Sequence, residues 1–273
     1  METLNLQELK KHFPRRDENS YKYTNGMVFA CVGSATYPGA AVLSAKAAMA
    51  SGAGGVYVSS DTERVGNIIL THLPEAIVLT FDSPYKDQFI ERARAFVLGS
   101  GQEAGMIPCA DFQRILLSQK PVVLDAGGID KLKSMGSFKK IHHIILTPNI
   151  PEAMRLVDAK DISKTIDKLQ DFSKETGCTI LLKKSEPVIF SLGKVFILNP
   201  VNPAATTAGC GDVLAGMIAG FLAQGVKPFY ATALGSFLAN EAVKLYFKKE
   251  GSHTILASEI IRFMSRVLLS YVP

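Results

Sequence analysis

The sequence predicts an α/β fold in which helices cover both faces of a mostly parallel central sheet, giving three layers. Apolar runs of the buried type recur along the chain, they alternate with segments of helical period, and one antiparallel hairpin follows them. The chain has 273 residues, of which 47% are hydrophobic and 20% charged, which is enough for one large core. We therefore expect a single domain over residues 1–273, in which residues 1–25 supply an N-terminal helix and a segment leading to the site.

Seven short runs rich in Val, Ile and Leu are the predicted parallel strands. They do not alternate polar with apolar residues, which is typical of strands covered on both faces. The predicted strands are Met27–Val32, Gly55–Ser59, Ala76–Thr80, Ala95–Leu98, Val122–Leu124, His143–Leu146 and Thr179–Leu182. Two further runs, Pro187–Phe190 and Val195–Leu198, flank a short turn and predict an antiparallel hairpin at one edge of the sheet.

Helices are predicted between the strands and after the hairpin. The segment Pro38–Ser51 has proline near its first turn and stops at Gly52, which is the usual punctuation of a helix. Helical period also appears in Ile162–Thr176 and in Asp212–Gln224. Two apolar helices, Pro228–Phe247 and Ser258–Tyr271, are expected near the C-terminus, where they can pack within one subunit or against a neighbouring one.

The composition excludes several classes of function. The formal net charge is +5, but the 30 basic and 25 acidic residues are interspersed, which suits an anionic small substrate and argues against nucleic-acid binding. Four cysteines lie far apart without a C-x-x-C pair, so neither a zinc site nor a disulfide framework is indicated. The longest apolar run, Val213 to Ala223, is shorter than the roughly 18 residues of a membrane-spanning helix. We expect a cytoplasmic protein without membrane partners.

Small, acidic and cationic residues follow the predicted strands, at the edge where open parallel sheets bind ligands. Singly, each of them can be a helix cap or a turn residue. Turn chemistry alone would populate both ends of the sheet, so their gathering at one edge favours a site for an anionic ligand and a metal ion. The residues concerned are Gly33-Ser34, Gly99-Ser100-Gly101, Asp125, Thr147-Pro148-Asn149, Glu152 and Lys183.

The segment Ala208-Gly209-Cys210-Gly211 precedes a predicted helix whose first residue is Asp212. Free backbone N–H groups and the positive end of the helix dipole meet at such a position, and glycines let a phosphate approach closely. Asp212 is therefore a candidate general base that accepts a proton from an attacking hydroxyl. The alternative is that Asp212 only caps the helix, although a cap does not by itself require two flanking glycines.

Two other interpretations of this turn are less favoured. A G-x-G-x-x-G fingerprint for dinucleotide binding is absent, because Leu214 and Ala104 stand where the third glycine belongs. Cys210 at a helix N-terminus can be a reactive thiolate. None of the histidines lies in a neighbouring motif, however, so a small packing residue is the better interpretation of Cys210.

The pair of motifs Thr147-Pro148-Asn149-x-x-Glu152 and Gly209-x-Gly211-Asp212 resembles the signature of the ribokinase-like superfamily. Within it, the chain is most similar to the ADP/ATP-dependent NAD(P)H-hydrate dehydratases. The segments that carry this resemblance are FPRRDENSYK (13–22), VGSATYPGAAVLSAKAAMASGAGGVYV (32–58), LGSG (98–101), VLDAGG (123–128), LTPNIPEAMRL (146–156), LLKKSEPVI (181–189) and NPVNPAATTAGCGDVLAG (199–216). It implies a ribokinase-like, three-layer αβα fold.

The resemblance also implies a reaction and the residues that perform it. The reaction is the ADP- or ATP-dependent dehydration of (S)-NADHX or NADPHX to NAD(P)H, with Mg²⁺ as cofactor and a homo-oligomer, a tetramer, as the assembly. Asp212 is the expected base, Gly209 and Gly211 hold the migrating phosphate, and Glu152 is a candidate magnesium ligand through water. Residues expected to contact the hydrated nucleotide are Ala40, Gly101, Asn149 and Asp212; those expected to hold the adenine nucleotide are Lys183, Lys184, Ser185, Glu186, Pro187 and Gly211.

Two further functions stay open at the level of sequence. A kinase for a small alcohol, such as a vitamin precursor, is favoured by Asn149, which matches the kinase version of the motif. A nucleotide-binding sensor without catalysis would need a disabled site, yet Asp212 and both glycines are present. The donor is also open; ADP is preferred over ATP because the stand-alone chain resembles the bacterial dehydratases.

Overall fold

The computed structural model describes residues 2–4, 6–16, 18–136, 140–251 and 254–271; Asp17, in the segment 13–22, lies outside them. Ten strands of the described chain form one sheet, in the order β1-β10-β9-β8-β7-β6-β5-β2-β3-β4. The strands are β1 (Glu2–Thr3), β2 (Met27–Cys31), β3 (Gly55–Ser60), β4 (Ile77–Thr80), β5 (Ala95–Leu98), β6 (Val122–Leu124), β7 (Ile144–Leu146), β8 (Thr179–Leu182), β9 (Val188–Ser191) and β10 (Lys194–Ile197).

Strands β2 to β8 pair in parallel, and β8, β9 and β10 pair antiparallel. The predicted strands and the hairpin are therefore confirmed, with ends that differ by one residue at most. Strand β1 was not predicted; it pairs in parallel with β10 and extends the sheet beyond the hairpin. A strand of two residues is too short to show the periodicity from which strands are predicted.

Helices occupy both faces of the sheet, as predicted. They are α1 (Leu6–Lys10), α2 (Pro38–Ala50), α3 (Glu63–His72), α4 (Lys86–Arg92), α5 (Cys109–Leu117), α6 (Gly127–Ser134), α7 (Ile150–Leu156), α8 (Ile162–Thr176), α9 (Cys210–Ala223), α10 (Pro228–Glu250) and α11 (Ala257–Leu268). The expected start of α9 at Asp212 is wrong by two residues. Gly209 adopts a left-handed φ of 90° and caps the helix, so Cys210 and Gly211 join its first turn.

Two hydrophobic cores lie on the two sides of the sheet, because successive side chains of each buried strand point to opposite faces. On β2, Val28 and Ala30 belong to the core shared with α2, α9, α10 and α11. Phe29 and Cys31 face the second core, which is shared with the helices α4 to α8. Helices α2 and α9 pack closely enough that a Cβ on Gly216 would clash with the carbonyl oxygen of Ser44. This packing fixes the amino end of α9 against the sheet.

Residues 18–26 lie at the amino ends of β2 and β3. A Cβ on Gly54 would clash with the carbonyl oxygen of Lys22, and one on Gly26 with that of Ala223. Ala223 is the last residue of α9, about 20 Å from the first residue of that helix at 1.5 Å per residue. The amino end of α9 lies at one end of the sheet. Residues 18–26 thus border the other end. None of the helices in the described chain has the length and apolar character needed to cross a membrane.

Candidate active site

The loops that follow the parallel strands are joined at one edge of the sheet. The N–H of Gly33 donates to the carbonyl of Ser100 at 2.7 Å, which ties the loops after β2 and β5 together. The N–H of Lys183 donates to the carbonyl of Pro148 at 2.8 Å, and Lys183 forms an isolated parallel bridge with Asn149. The residues predicted from separate motifs are therefore brought to one place.

The carboxylate of Asp125 lies at the centre of this edge, with 4% of its side chain exposed. Its Oδ1 accepts hydrogen bonds from Lys183 Nζ at 2.7 Å and from Thr147 Oγ1 at 2.8 Å, and its Oδ2 accepts one from Ser100 Oγ at 3.0 Å. Burial alone would raise the pKa of Asp125, but the ammonium and the two hydroxyl donors lower it. Burial likewise opposes the charge on Lys183, yet Asp125 and Glu152 raise the pKa of that side chain. Asp125 and Lys183 therefore form an ion pair.

The first turn of α9 presents free amides to the same edge. The amides of Gly209, Gly211 and Asp212 donate to no acceptor in the described part of the chain, whereas the Cys210 amide donates to the Thr207 carbonyl at 3.3 Å. A Cβ built on Gly211 would lie 3.3 Å from Lys183 Nζ, so the ammonium faces this turn. Free N–H groups at a helix N-terminus bind anions, and a cation beside them strengthens that preference.

Asp212 occupies the third position of α9, beside these amides. Burial raises the pKa of Asp212 to about 7; the charge of Asp125 raises it further, and the Lys183 ammonium opposes both. A carboxyl group with a pKa near neutrality can accept a proton at physiological pH and release it again, as a general base must. Asp212 is not the N-cap residue of α9, because Gly209 holds that position.

Asn149 and Glu152 form a reciprocal capping box at the start of α7. The N–H of Glu152 donates to Asn149 Oδ1, and the N–H of Asn149 donates to Glu152 Oε2, each at 2.9 Å. The structure thus gives Asn149 the turn chemistry that its sequence position allows. Burial raises the pKa of Glu152, and the Lys183 ammonium counteracts part of that increase.

The candidate magnesium ligand fits only an indirect role. Within the described residues, no three His, Cys, Asp or Glu side chains are arranged to hold a metal ion. Asp125 is occupied by Lys183, while Oε1 of Glu152 has no donor in the described chain. Magnesium usually keeps several waters and uses one or two carboxylates. The oxygen chemistry of Glu152 is therefore suited to a water-mediated contact.

A cavity of about 280 Å³ opens beside the first turn of α9. Of the residues predicted for the adenine nucleotide, Glu186 does not line it and is exposed, whereas the others do: Lys183, Lys184, Ser185, Pro187 and Gly211. Sequence reasoning missed the part of the lining that α10 supplies, which consists of Ala239, Asn240 and Val243 among others. Asn240 fixes the loop before α9, since its Nδ2 donates to the Pro200 carbonyl at 3.0 Å. Mostly apolar walls of this kind suit an aromatic base.

The four residues predicted to contact the hydrated nucleotide, Ala40, Gly101, Asn149 and Asp212, do not line this cavity. A Cβ on Gly101, which has a φ of 66°, would lie 2.5 Å from the Cβ of Ala40 and 3.2 Å from that of Tyr37. Ala40 and Gly101 are thus neighbours, beside an exposed tyrosine that the sequence motifs did not single out. Leu43, which lies in α2 like Ala40, contacts Gly209. Cys210 lines the cavity, with its Sγ 3.2 Å from Thr207 Oγ1, in accord with a packing role.

Comparison with known proteins shows relatives over nearly the whole chain. A sequence model of the family described as NAD(P)H-hydrate dehydratase matches residues 28–266. The ADP-dependent (S)-NAD(P)H-hydrate dehydratase of Neisseria meningitidis is 32% identical over 91% of this chain and 86% of its own length. The chain also matches bifunctional NAD(P)H-hydrate repair enzymes, and it spans about half of their length, 52% of the Moorella thermoacetica protein.

Two solved structures have the same fold. A ribokinase-like superfamily protein from Enterococcus faecalis matches with a TM-score of 0.85 and 26% identity, over 100% of this chain and 96% of that one. The ADP/ATP-dependent NAD(P)H-hydrate dehydratase of Bacillus subtilis, co-crystallised with ATP and Mg²⁺, matches with a TM-score of 0.83 and 26% identity, over 98% of both chains. The predicted ribokinase-like, three-layer αβα fold is confirmed. Since the family's sequence model covers nearly all of it, this chain belongs to the NAD(P)H-hydrate dehydratase family.

Proposed function

We propose that this protein dehydrates the S-epimer of hydrated NADH or NADPH, using ADP or ATP and releasing AMP or ADP together with phosphate. The observation that carries the proposal is the position of Asp212 in the first turn of α9, beside free amides. It directly follows Gly211, which lines the cavity and faces the Lys183 ammonium. The names of the Neisseria and Bacillus relatives support this choice of substrate and donor. ADP is the preferred donor.

In the proposed reaction, Asp212 accepts the proton of the ring hydroxyl while the terminal phosphoryl group of the donor is transferred to that oxygen. The transfer turns hydroxide, a poor leaving group, into phosphate. The lone pair of the ring nitrogen then expels phosphate and restores the dihydronicotinamide. The amides of Gly209 and Gly211 are donors for the charge that develops on the migrating group.

The two substrates are assigned to two groups of residues. The adenine nucleotide is proposed to occupy the cavity, held by Lys183, Lys184, Ser185, Pro187 and Gly211, with Glu186 next to it. The hydrated nicotinamide nucleotide is proposed to lie against Ala40, Gly101 and Asn149, where the loops after β2, β5 and β7 meet. Asp212 directly follows Gly211 of the first group in the chain, and we propose that it reaches a hydroxyl of the substrate held by the second group.

Mg²⁺ is the proposed cofactor, with Glu152 as a ligand through water. When bound, the ion would neutralise negative charge on the phosphates of the donor. The residues around the ion's proposed site bring their own charges: Asp125, Glu152 and Asp212 carry the acid groups, and Lys183 carries the ammonium.

We further propose that residues 1–273 act as one domain and assemble as a cytoplasmic homo-oligomer, a tetramer. Support for one domain comes from the single sheet that runs through the described chain. Support for assembly comes from exposed leucines at both ends of α11, Leu256 and Leu269. Light scattering of the purified protein over a range of concentrations tests the oligomeric state.

One assay tests the proposed activity. The protein is incubated with (S)-NADHX, Mg²⁺ and either ADP or ATP, and the absorbance of NADH in the near ultraviolet is followed. Regenerated NADH together with free phosphate supports the proposal. A stable phosphorylated product without NADH would instead identify a kinase, and nucleotide binding without any turnover would identify a sensor.

A further inference from the structure

Lys183 joins three elements of the site. Its backbone N–H donates a hydrogen bond to the carbonyl of Pro148, after β7, and its ammonium donates one to the carboxylate of Asp125, after β6. The same ammonium faces Gly211 in the first turn of α9, 3.3 Å from where a Cβ would be. A side chain with these three connections has a fixed position relative to the free amides of α9.

The ammonium of Lys183 has donors that the protein does not use. An ammonium carries three N–H donors, and in the described chain Asp125 Oδ1 is the acceptor that Nζ reaches. The side chain is 22% exposed and lines the cavity. This cation is largely buried, has unused N–H donors and lies beside free amides. Such a site favours a ligand with anionic oxygen acceptors.

Asp125 itself cannot contact such a ligand. Both of its oxygens accept hydrogen bonds from the protein, and its side chain is 4% exposed. Asp125 can therefore position a bound nucleotide only through Lys183. Thr147 and Ser100 hold the carboxylate in place and fix the direction in which it attracts the ammonium.

We propose that Lys183 binds the terminal phosphoryl group of the donor nucleotide, and that Asp125 is the positioning residue that holds its ammonium there. The inference deepens the proposed function and rests on it for the nature of the donor. It narrows the role of Lys183 from general contact with the adenine nucleotide to contact with the group that is transferred. Cations placed at a transferring phosphoryl group stabilise its charge in the transition state.

A second ion pair provides a matched control. Lys86 Nζ lies 2.7 Å from Asp111 Oδ2, with 13% and 15% of the two side chains exposed. Lys86 also donates to the carbonyl of Phe81, so its ammonium is satisfied by protein acceptors from two residues. This pair lies between α4 and α5 and lines no cavity described above. Removing it tests the general cost of losing a partly buried ion pair.

The first experiment measures the dissociation constants of ADP and AMP by calorimetry for the wild type, Lys183→Met and Lys86→Met. We expect Lys183→Met to weaken ADP binding by roughly 10- to 100-fold, the range for a hydrogen bond to a charged group. Its affinity for AMP should stay within about twofold of wild type, because AMP lacks the terminal phosphate. Lys86→Met should change neither constant. Equal loss of ADP and AMP binding in Lys183→Met would overturn the inference.

The second experiment compares kcat for Lys183→Met, Asp125→Asn and the double variant. Lys183→Met should lower kcat on the order of 10²- to 10³-fold, as for loss of one donor to a developing charge. At a pH well above the Asp212 pKa of about 7, where that carboxylate is ionised in every variant, Asp125→Asn should lower kcat by about tenfold. The double variant should then equal Lys183→Met within about twofold, because the positioning role of Asp125 acts through Lys183. Independent, multiplying losses would contradict the positioning role. If thermal unfolding shows that Lys183→Met does not fold, Lys183→Gln replaces it in both experiments.

The outcomes separate this inference from the proposed function. If the wild type regenerates NADH and Lys183→Met does so equally fast, the inference is wrong and the function stands. If the wild type regenerates no NADH but prefers ADP to AMP, and only Lys183→Met loses that preference, the proposed substrate is wrong and the phosphoryl contact stands.

Discussion

Burial and the charge of Asp125 together raise the pKa of Asp212, whereas Asp125 itself is kept ionised by the donors around it. Asp125 is held ionised by Lys183, Thr147 and Ser100, and these partners outweigh the effect of its burial. Within the described residues Asp212 has no comparable set of donors, so burial raises its pKa to about 7. One carboxylate thereby fixes a cation, while the other keeps the proton affinity that a general base needs.

Loss of the Asp212 carboxylate is expected to abolish most of the turnover. Asp212→Asn should lower kcat on the order of 10²- to 10⁴-fold, the usual range for loss of a general base. Calorimetric titration should show that nucleotide binding survives, since the amides of α9 and the cavity remain. Asp158→Asn is the control, because that side chain is 81% exposed and its partner is Lys133, which is not among the site residues. Unchanged turnover in Asp212→Asn would contradict the assigned role.

The pH dependence of kcat/KM should report the titration of Asp212. Below a pH of about 7 the carboxyl is protonated in the free enzyme and cannot accept a proton, so kcat/KM should rise with pH and level off above that value. Asp125→Asn should move this midpoint to lower pH, because it removes a nearby negative charge and frees Lys183 to stabilise the Asp212 carboxylate. Asp111→Asn should leave the midpoint where it is. A midpoint that stays fixed or rises in Asp125→Asn would count against this coupling.

Asp212 should also cost stability at neutral and higher pH. Its pKa is raised from 3.8 to about 7 on folding, so its contribution is fully favourable below pH 3.8 and is lost as the pH rises through 7. At 1.36 kcal/mol per pKa unit, the loss amounts to about 4 kcal/mol. Asp212→Asn should therefore unfold at higher urea concentration than the wild type, with a larger gain at pH 8 than at pH 5. A gain that does not depend on pH would show that the carboxylate is not the cause.

The strands and helices of the fold could be predicted from the sequence because most of them are long and continuous. The buried parallel strands read as unbroken apolar runs, so each was located within a residue of its observed bounds. The start of α9 was harder to predict, because it depends on the left-handed conformation of Gly209, which no periodic pattern reports. Strand β1 is formed only through its partner β10 and has no signal of its own.

The site was predictable where motifs are local and less so where contacts are distant in sequence. The spacing of Asn149 and Glu152 already allows a capping box, and the structure contains one. The hydrogen bonds that Asp125 accepts from Ser100, Thr147 and Lys183 could not be read from the sequence, since they join residues 22 to 58 positions apart. The residues of α10 that line the cavity come later in the chain than all the predicted site residues, so no local motif links them to the site. The roles assigned to the site residues stay predictions.

Gly211 provides a test of the space between α9 and Lys183. Gly211→Ala would place a Cβ 3.3 Å from Lys183 Nζ, which must move away from the first turn. Because Gly211 lies in the first turn of the helix, any gain in stability from alanine should stay below the roughly 1 kcal/mol of a helix interior, while kcat falls. Gly105→Ala is the control, since a Cβ there meets nothing within 4 Å. Thermal unfolding together with the NADH assay checks both parts; unchanged kcat would mean that this space is not used in catalysis.

Filling the cavity from the α10 side should act on both nucleotides alike. Ala239→Leu adds apolar volume to the lining of the cavity and should weaken ADP and AMP binding by a similar factor. This pattern differs from that of Lys183→Met, which should affect ADP alone. Lys249→Leu is the control on the same helix, because Lys249 is exposed and does not line the cavity. Calorimetry with both nucleotides makes the comparison, and undiminished binding in Ala239→Leu would place the adenine ring elsewhere.

The most direct measurement is a crystal structure of the protein with Mg²⁺ and a non-hydrolysable ATP analogue. The account predicts that oxygens of the terminal phosphate lie within hydrogen-bond distance, about 2.7–3.2 Å, of the Gly211 amide and of Lys183 Nζ. A terminal phosphate bound out of reach of both groups would contradict it.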